Sequence, residues 1–222
     1  MITERQGMGH YERAGTAFET ALSLADDETV IVSGLPRAGT SMLMQMLAAG
    51  GLPALTDGLR QPDEDNPRGY FEYEAVKQLA RNRDWLPEAR GKAVKIVAPL
   101  LTALPDEVAC RVIFIDRNLD EILASQRHML MRSGAAHVEN PARESRLKRE
   151  YGCIVLNVRK HLGQRPRTHV LRLHRDSILS DPKAAADRIN SFLGGGWDAV
   201  AMAAEVKPAL NRRGLRVADA AD

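Results

Sequence analysis

Gly34-Leu35-Pro36-Arg37-Ala38-Gly39-Thr40-Ser41 is the stretch that decides how this chain folds. It follows Thr29-Val30-Ile31-Val32-Ser33, a β-branched run with the composition of a buried strand. It precedes Met42-Leu43-Met44-Gln45-Met46-Leu47-Ala48-Ala49, which predicts a helix. A strand, a glycine loop and a helix in succession present backbone N–H groups and a helix N-terminus to an oxyanion. The spacing is that of the phosphate loop G-x-x-x-x-G-K-[ST], but Thr40 stands at the lysine position and Arg37 is the only cation in the loop. That exchange argues against an ordinary ATP or GTP loop and points to a different phosphoanhydride. The plainer reading of the same residues is a tight strand-to-helix turn with Thr40 or Ser41 as the helix N-cap.

Two further segments carry isolated charge beside apolar runs. Cys110-Arg111-Val112-Ile113-Phe114-Ile115-Asp116 predicts a second buried strand, with Arg117 at its end and a helix from residue 119 that carries Ser125. A guanidinium there suits a phosphate, which it grips with two parallel hydrogen bonds; pairing with Asp116 or Asp120 is the structural alternative. Val94-Lys95-Ile96-Val97-Ala98-Pro99 predicts a strand with one lysine among apolar residues, a placement that demands a partner or a task. Between the loop and that strand, Asn66-Pro67-Arg68-Gly69-Tyr70-Phe71-Glu72-Tyr73-Glu74 predicts a turn at Pro67 and Gly69, then a helix over 72–83 with Glu72 near its start. A glutamate there is either a general base or a partner of the helix dipole.

Pro36-Arg37-Ala38-Gly39-Thr40-Ser41 resembles the 5′-phosphosulfate loop of the sulfotransferases, whose donor is 3′-phosphoadenosine 5′-phosphosulfate (PAPS). The resemblance covers about residues 29–213. It implies that Arg117 and Ser125 hold the donor's 3′-phosphate and that Lys95 lies near the transferring sulfuryl group. The histidine base of the cytosolic small-molecule branch is absent, since its position holds Val97. The Asn-Pro-x-Gly-Tyr-x-Glu pattern is similar to the bacterial type, which implies Glu72 as base, with Glu74 as the second candidate. Lys207-Pro208-Ala209-Leu210-Asn211-Arg212-Arg213 resembles a basic segment that closes over the nucleotide, with Arg213 as a donor contact or as part of a solvated tail. The implied chemistry is in-line sulfuryl transfer, in which positioning and charge stabilisation dominate. Sulfate carries less charge than a terminal phosphate, so no metal is expected. Asp116 is the best acid for binding Mg²⁺, and Arg117 beside it competes for it.

The remaining sequence bounds this reading. The length of 222 residues, with 44% apolar and 27% charged residues, fits one soluble enzyme domain. Strands alternating with helices predict an α/β, three-layer P-loop-like fold: a central parallel sheet of about five strands, one of them at 52–55, flanked by helices. Residues 1–28 read as an N-terminal helical lead, 29–213 as the sulfotransferase-like domain and 214–222 as a tail. The net charge of +2 hides an asymmetry: residues 127–175 hold twelve Lys and Arg against three Glu, while 57–74 hold six acids against two arginines. A basic half suits an anionic donor. It lacks the interleaved aromatics of a nucleic-acid surface, so no nucleic acid is expected. The bland reading of 143–160 is an exposed, charge-laced helix.

Cys110 and Cys153 form no disulfide framework and no metal spacing. The 19 uncharged residues from Ala38 to Thr56 contain the glycine loop and the break Gly50-Gly51-Leu52-Pro53, so no membrane span is expected. The start of the sequence lacks an apolar signal core, which suggests a cytoplasmic protein. Of the six histidines, only His174, at a strand end, competes as a base. The resemblance implies a small-molecule or glycan acceptor, and a homo-oligomer is compatible with the sequence. The competing functions are a small-molecule kinase of the P-loop type and a non-catalytic nucleotide-binding module.

Overall fold

The computed structural model describes residues 24–63, 66, 69–132 and 140–207. The N-terminal lead before residue 24, Glu64, Asp65, Pro67, Arg68, the break at 133–134 and Arg213 lie outside the described residues. The sheet is built from β1 (Thr29–Gly34), β2 (Ala93–Lys95), β3 (Cys110–Asp116) and β4 (Thr168–His174). All pairs are parallel, in the order β2-β1-β3-β4. Every residue of β1 is buried, as are six of the seven of β3. Their β-branched runs are what a strand covered on both faces requires.

The helices are α1 (Thr40–Ala49), α2 (Ala98–Leu101), α3 (Leu119–Arg132), α4 (Pro141–Gln164), α5 (Arg175–Ser180), α6 (Pro182–Phe192) and α7 (Ala199–Ala204). Contacts join α1 and α6 to α7, and α2 and α3 to α4, and right-handed crossovers from β1 to β2 and from β3 to β4, which run in opposite directions across the sheet, put the two groups on opposite faces. The chain leaves β1 toward one side and β3 toward the other, although the two strands are neighbours. The loops after them therefore diverge and open a crevice at their carboxyl ends, the place where open α/β sheets bind ligands.

Glycine sets the close approach at the head of this crevice. A Cβ on Gly34 would lie 2.7 Å from the Ile115 carbonyl oxygen, a contact that backbone cannot relax. Gly39 has φ +117, which an L side chain rarely adopts.

Among the described residues the sheet has four strands, where about five were expected. The segment at 52–55 contributes a single parallel bridge, Ala54 to Ala93. Ala93 donates to the Pro53 carbonyl and Leu55 donates to Ala93, both at 2.8 Å. Pro53 has no N–H to extend the ladder. The expected helix over 72–83 is also corrected. Only a 3₁₀ turn, Glu74–Gln78, forms, and Glu72 precedes it in an irregular strap. Val76 and Leu79 are the buried pair, a spacing of three that suits 3₁₀ geometry. α5 and α7 go beyond the sequence expectation. At six residues each they are too short for periodicity, and their signals are caps: His174 Nδ1 accepts from Asp176 N–H, and Asp198 accepts from Ala201 N–H.

Much of the basic charge is structural. Arg165 is buried and donates to the carbonyls of Leu104, Pro105 and Val108. On exposed α4, Arg146 pairs with Glu150 and Lys148 with Asp120. Cys110 is buried in the core, as expected, and Cys153 is exposed. Among the described residues no helix is long and apolar enough to cross a membrane.

Candidate functional site

The loop after β1 makes a turn in which Ala38 N–H donates to the Leu35 carbonyl at 3.0 Å, with Arg37 at φ +70. A non-glycine residue in this region carries strain of the kind found at binding loops. The N-cap of α1 is Gly39, not Thr40 or Ser41, and no side chain caps it. The first turn of α1 also holds no acid. Its N–H groups lack intrahelical partners by construction, and the helix dipole adds partial positive charge there. Thr40 is buried, and Ser41 Oγ donates to the Tyr70 carbonyl at 3.4 Å.

Three of the sequence-predicted residues meet in one chain of hydrogen bonds. Arg37 Nε donates to Ser125 Oγ at 3.1 Å, and Arg117 Nη1 donates to the Arg37 carbonyl at 2.7 Å. Arg117 does not pair with its neighbouring aspartates. Asp116 is taken by Arg159 and Arg172, and Asp120 by Lys148. Arg117 Nε instead reaches Glu121 at 3.1 Å, one turn along α3. Arg175, which sequence reasoning missed, is buried at the start of α5. Its Cδ lies 3.6 Å from where a Gly39 Cβ would stand. A cavity of about 510 Å³ adjoins these groups at the ends of β3 and β4, lined by Leu35, Ala38, Phe114, Arg117, Glu121 and Arg172 among others.

A second cluster lies on the strap. Lys95, in register with Val32, is buried and its Nζ donates to the Tyr70 carbonyl. The same Nζ lies 3.6 Å from Glu72 Oε1, so the structure brings Lys95 and Glu72 together. Arg60, also missed, donates to that oxygen at 2.8 Å, and its guanidinium carbon lies 3.4 Å from the centre of the Tyr70 ring. Its only sign in the sequence is an arginine set in an acidic stretch. Thr56 Oγ1 and Asp57 N–H hold the Glu72 carbonyl, while Phe71 at φ +51 turns the strap sharply before it. Glu74 pairs with Lys77 at the surface. His174 caps α5 and lies 3.8 Å from Asp176. Among the described residues no three or more His, Cys, Asp and Glu side chains group as metal ligands.

Burial pulls the Lys95 pKa down to about 8, against the opposing attraction of Glu72. An unfolded lysine titrates near 10.5, so between those values the folded chain holds fewer protons than the unfolded one. Stability therefore rises with pH across that window, and below it the buried charge is a constant cost. A tenfold difference in proton affinity between the two states is worth about 1.4 kcal/mol. Relative to Lys95→Met, the native chain should gain roughly 3 kcal/mol of unfolding free energy between pH 8 and 10.5. Denaturant unfolding of both proteins at the two pH values checks this, and parallel curves would refute it.

An α/β fold with a glycine loop at its switch point and cations converging on that loop is the class these observations define. Within that class the chain has the sulfotransferase fold. The structure is similar to the crystal structure of mouse sulfotransferase SULT7A1 complexed with PAP, at 20% identity over 84% of this chain, with a TM-score of 0.54. It is similar also to the sulfotransferase from Alicyclobacillus acidocaldarius, at 16% identity over 76% of this chain and 81% of that one, with a TM-score of 0.50. The chain spans 65% of the mouse protein. No protein-family model matches the chain, and no curated protein matches it.

Proposed function

We propose that this chain is a sulfotransferase that moves the sulfuryl group of PAPS onto a hydroxyl or amine of a small-molecule or glycan acceptor, with Glu72 as the base. One observation carries the reading. Arg37 after β1, Arg117 after β3 and Ser125 on α3 converge in one hydrogen-bonded chain beside a helix start that no side chain caps. That donor set fits a ligand with two separate anionic groups. The mouse relative of the same fold is complexed with PAP.

In this proposal the amides of 36–41, with Thr40 and Ser41, hold the 5′-phosphosulfate. Arg117 and Ser125 hold the 3′-phosphate, and Arg37, which begins in the loop and ends on Ser125, spans the two. Arg213 is assigned to the nucleotide by the sequence resemblance alone. PAPS, when bound, supplies the sulfuryl group and a bisphosphate leaving group. Lys95 brings positive charge to the reacting side and orients Glu72 through the 3.6 Å contact. Glu72 takes the acceptor's proton as sulfur is attacked. Sulfuryl transfer neutralised by these cations needs no metal of its own.

Isothermal titration with 3′-phosphoadenosine 5′-phosphate (PAP), against AMP and against ATP with Mg²⁺, tests the reading. Micromolar or tighter binding of PAP in the presence of EDTA, with AMP at least tenfold weaker, is expected. Preference for ATP with Mg²⁺ would return the chain to the kinase reading.

A further inference from the structure

Glu121 is a carboxylate that joins Arg117, itself bonded to the Arg37 carbonyl, to Arg175. Its Oε2 receives Arg117 Nε at 3.1 Å and lies 4.0 Å from Arg175 Nη1, so one oxygen is shared by guanidiniums from two separate elements. An i,i+4 pair on an exposed helix face needs only one partner. This acid instead leans toward a second, buried arginine that belongs to α5. Its side chain is 30% exposed, whereas those of Arg117 and Arg175 are 12% and 10% exposed. The cations are therefore held in place and the acid stands at the open side, where it also lines the 510 Å³ cavity.

We propose that Glu121 is a resident counter-anion of the donor site. Its carboxylate stands in for a phosphate between Arg117 and Arg175 when the site is empty, and it sets an upper limit on nucleotide affinity. This inference rests on the donor-site reading above. Both cations have contacts besides Glu121. Arg117 is anchored independently on the Arg37 carbonyl at 2.7 Å, and Arg175 is packed against the loop at Gly39. Removing the carboxylate charge leaves both guanidiniums preorganised and removes a negative charge that repels the incoming phosphate. A purely structural glutamate would behave in the opposite way: its loss would release Arg117 and weaken binding. The sign of the effect separates the two roles. The chemical purpose is release. The product bisphosphate carries the same anionic groups as the donor, and a competing internal carboxylate helps it to leave.

The test is titration of PAP into the wild type, Glu121→Gln, Glu121→Asp and Arg175→Gln, each first shown to be folded by its thermal melt. Glu121→Gln should tighten PAP binding roughly tenfold and steepen its loss with added salt. Glu121→Asp, which keeps the charge, should stay close to wild type. Arg175→Gln should weaken binding roughly tenfold, which keeps the proposal open to refutation should Glu121→Gln not fold. Weaker or unchanged binding in Glu121→Gln, or unchanged binding in Arg175→Gln, would overturn the proposal. Failure of the wild type to bind PAP at all would overturn the donor-site reading itself, a result distinct from either.

Discussion

Glu72→Gln should lower the rate of sulfuryl transfer by two to four orders of magnitude, the range over which a positioned general base contributes. It should leave the affinity for PAP within about twofold, since its contacts, Arg60 and Lys95, lie apart from the Arg37–Ser125–Arg117 chain. Glutamine keeps the shape and can still accept from Arg60, so the strap should retain its fold. What is lost is the capacity to take a proton. PAP formation from PAPS, followed with a panel of phenols, alcohols and amines, provides the rate, and titration provides the affinity. Retention of more than a tenth of the wild-type rate with the best acceptor would remove Glu72 from the base role. Glu74→Gln serves as the contrast. Glu74 pairs with Lys77 at the surface, and its loss should change the rate less than twofold.

Arg117→Ala should weaken PAP binding by about a hundredfold. Charge-assisted hydrogen bonds to phosphate are worth roughly 1.5–3 kcal/mol, and a guanidinium offers two. The substitution also removes the donor to the Arg37 carbonyl, which holds that residue at its positive φ. Arg117→Lys should recover only part of the loss, because a single ammonium cannot reach the phosphate and the Arg37 carbonyl with one planar fork. Lys148→Ala, which removes a surface charge paired with Asp120, should leave binding unchanged. Equal losses in Lys148→Ala and Arg117→Ala would mean that PAP senses only the general positive field of this face.

The parts of the fold that were legible in the sequence are those governed by local signals. The β-branched runs at 29–33 and 110–116 predict β1 and β3, and the loop glycines between β1 and α1 mark the turn. The expected helix over 119–132 coincides with α3. Arg117, Ser125, Lys95 and Glu72 could be singled out as candidates because each is a polar residue at a fixed offset from such a signal. The strap was not. Phe71 at positive φ and the 3₁₀ turn after it depend on burial of Val76, Leu79 and Trp85, which no local pattern encodes. Arg60, Glu121 and Arg175 were illegible for a related reason. Each matters through a partner brought near by the tertiary fold, and the sequence shows only one more charge in a charged stretch. The fifth strand failed at Pro53, whose missing N–H outweighs the apolar residues around it.

The strap is tied to the rest of the fold at the Tyr70 carbonyl, which accepts from Lys95 Nζ on β2 and from Ser41 Oγ on α1, while Thr56 and Asp57 hold the Glu72 carbonyl within the strap itself. The proposed donor residues, by contrast, stand on β1, β3 and α3 and the loops that join them. In the proposed function the strap faces the acceptor and the loop after β1 reads the donor, so the Tyr70 carbonyl, held by Lys95 and Ser41 together, sets one against the other. If that proposal holds, a change of acceptor has to keep a lysine on β2, a serine at the start of α1, the backbone carbonyl they share and a carboxylate two residues further on.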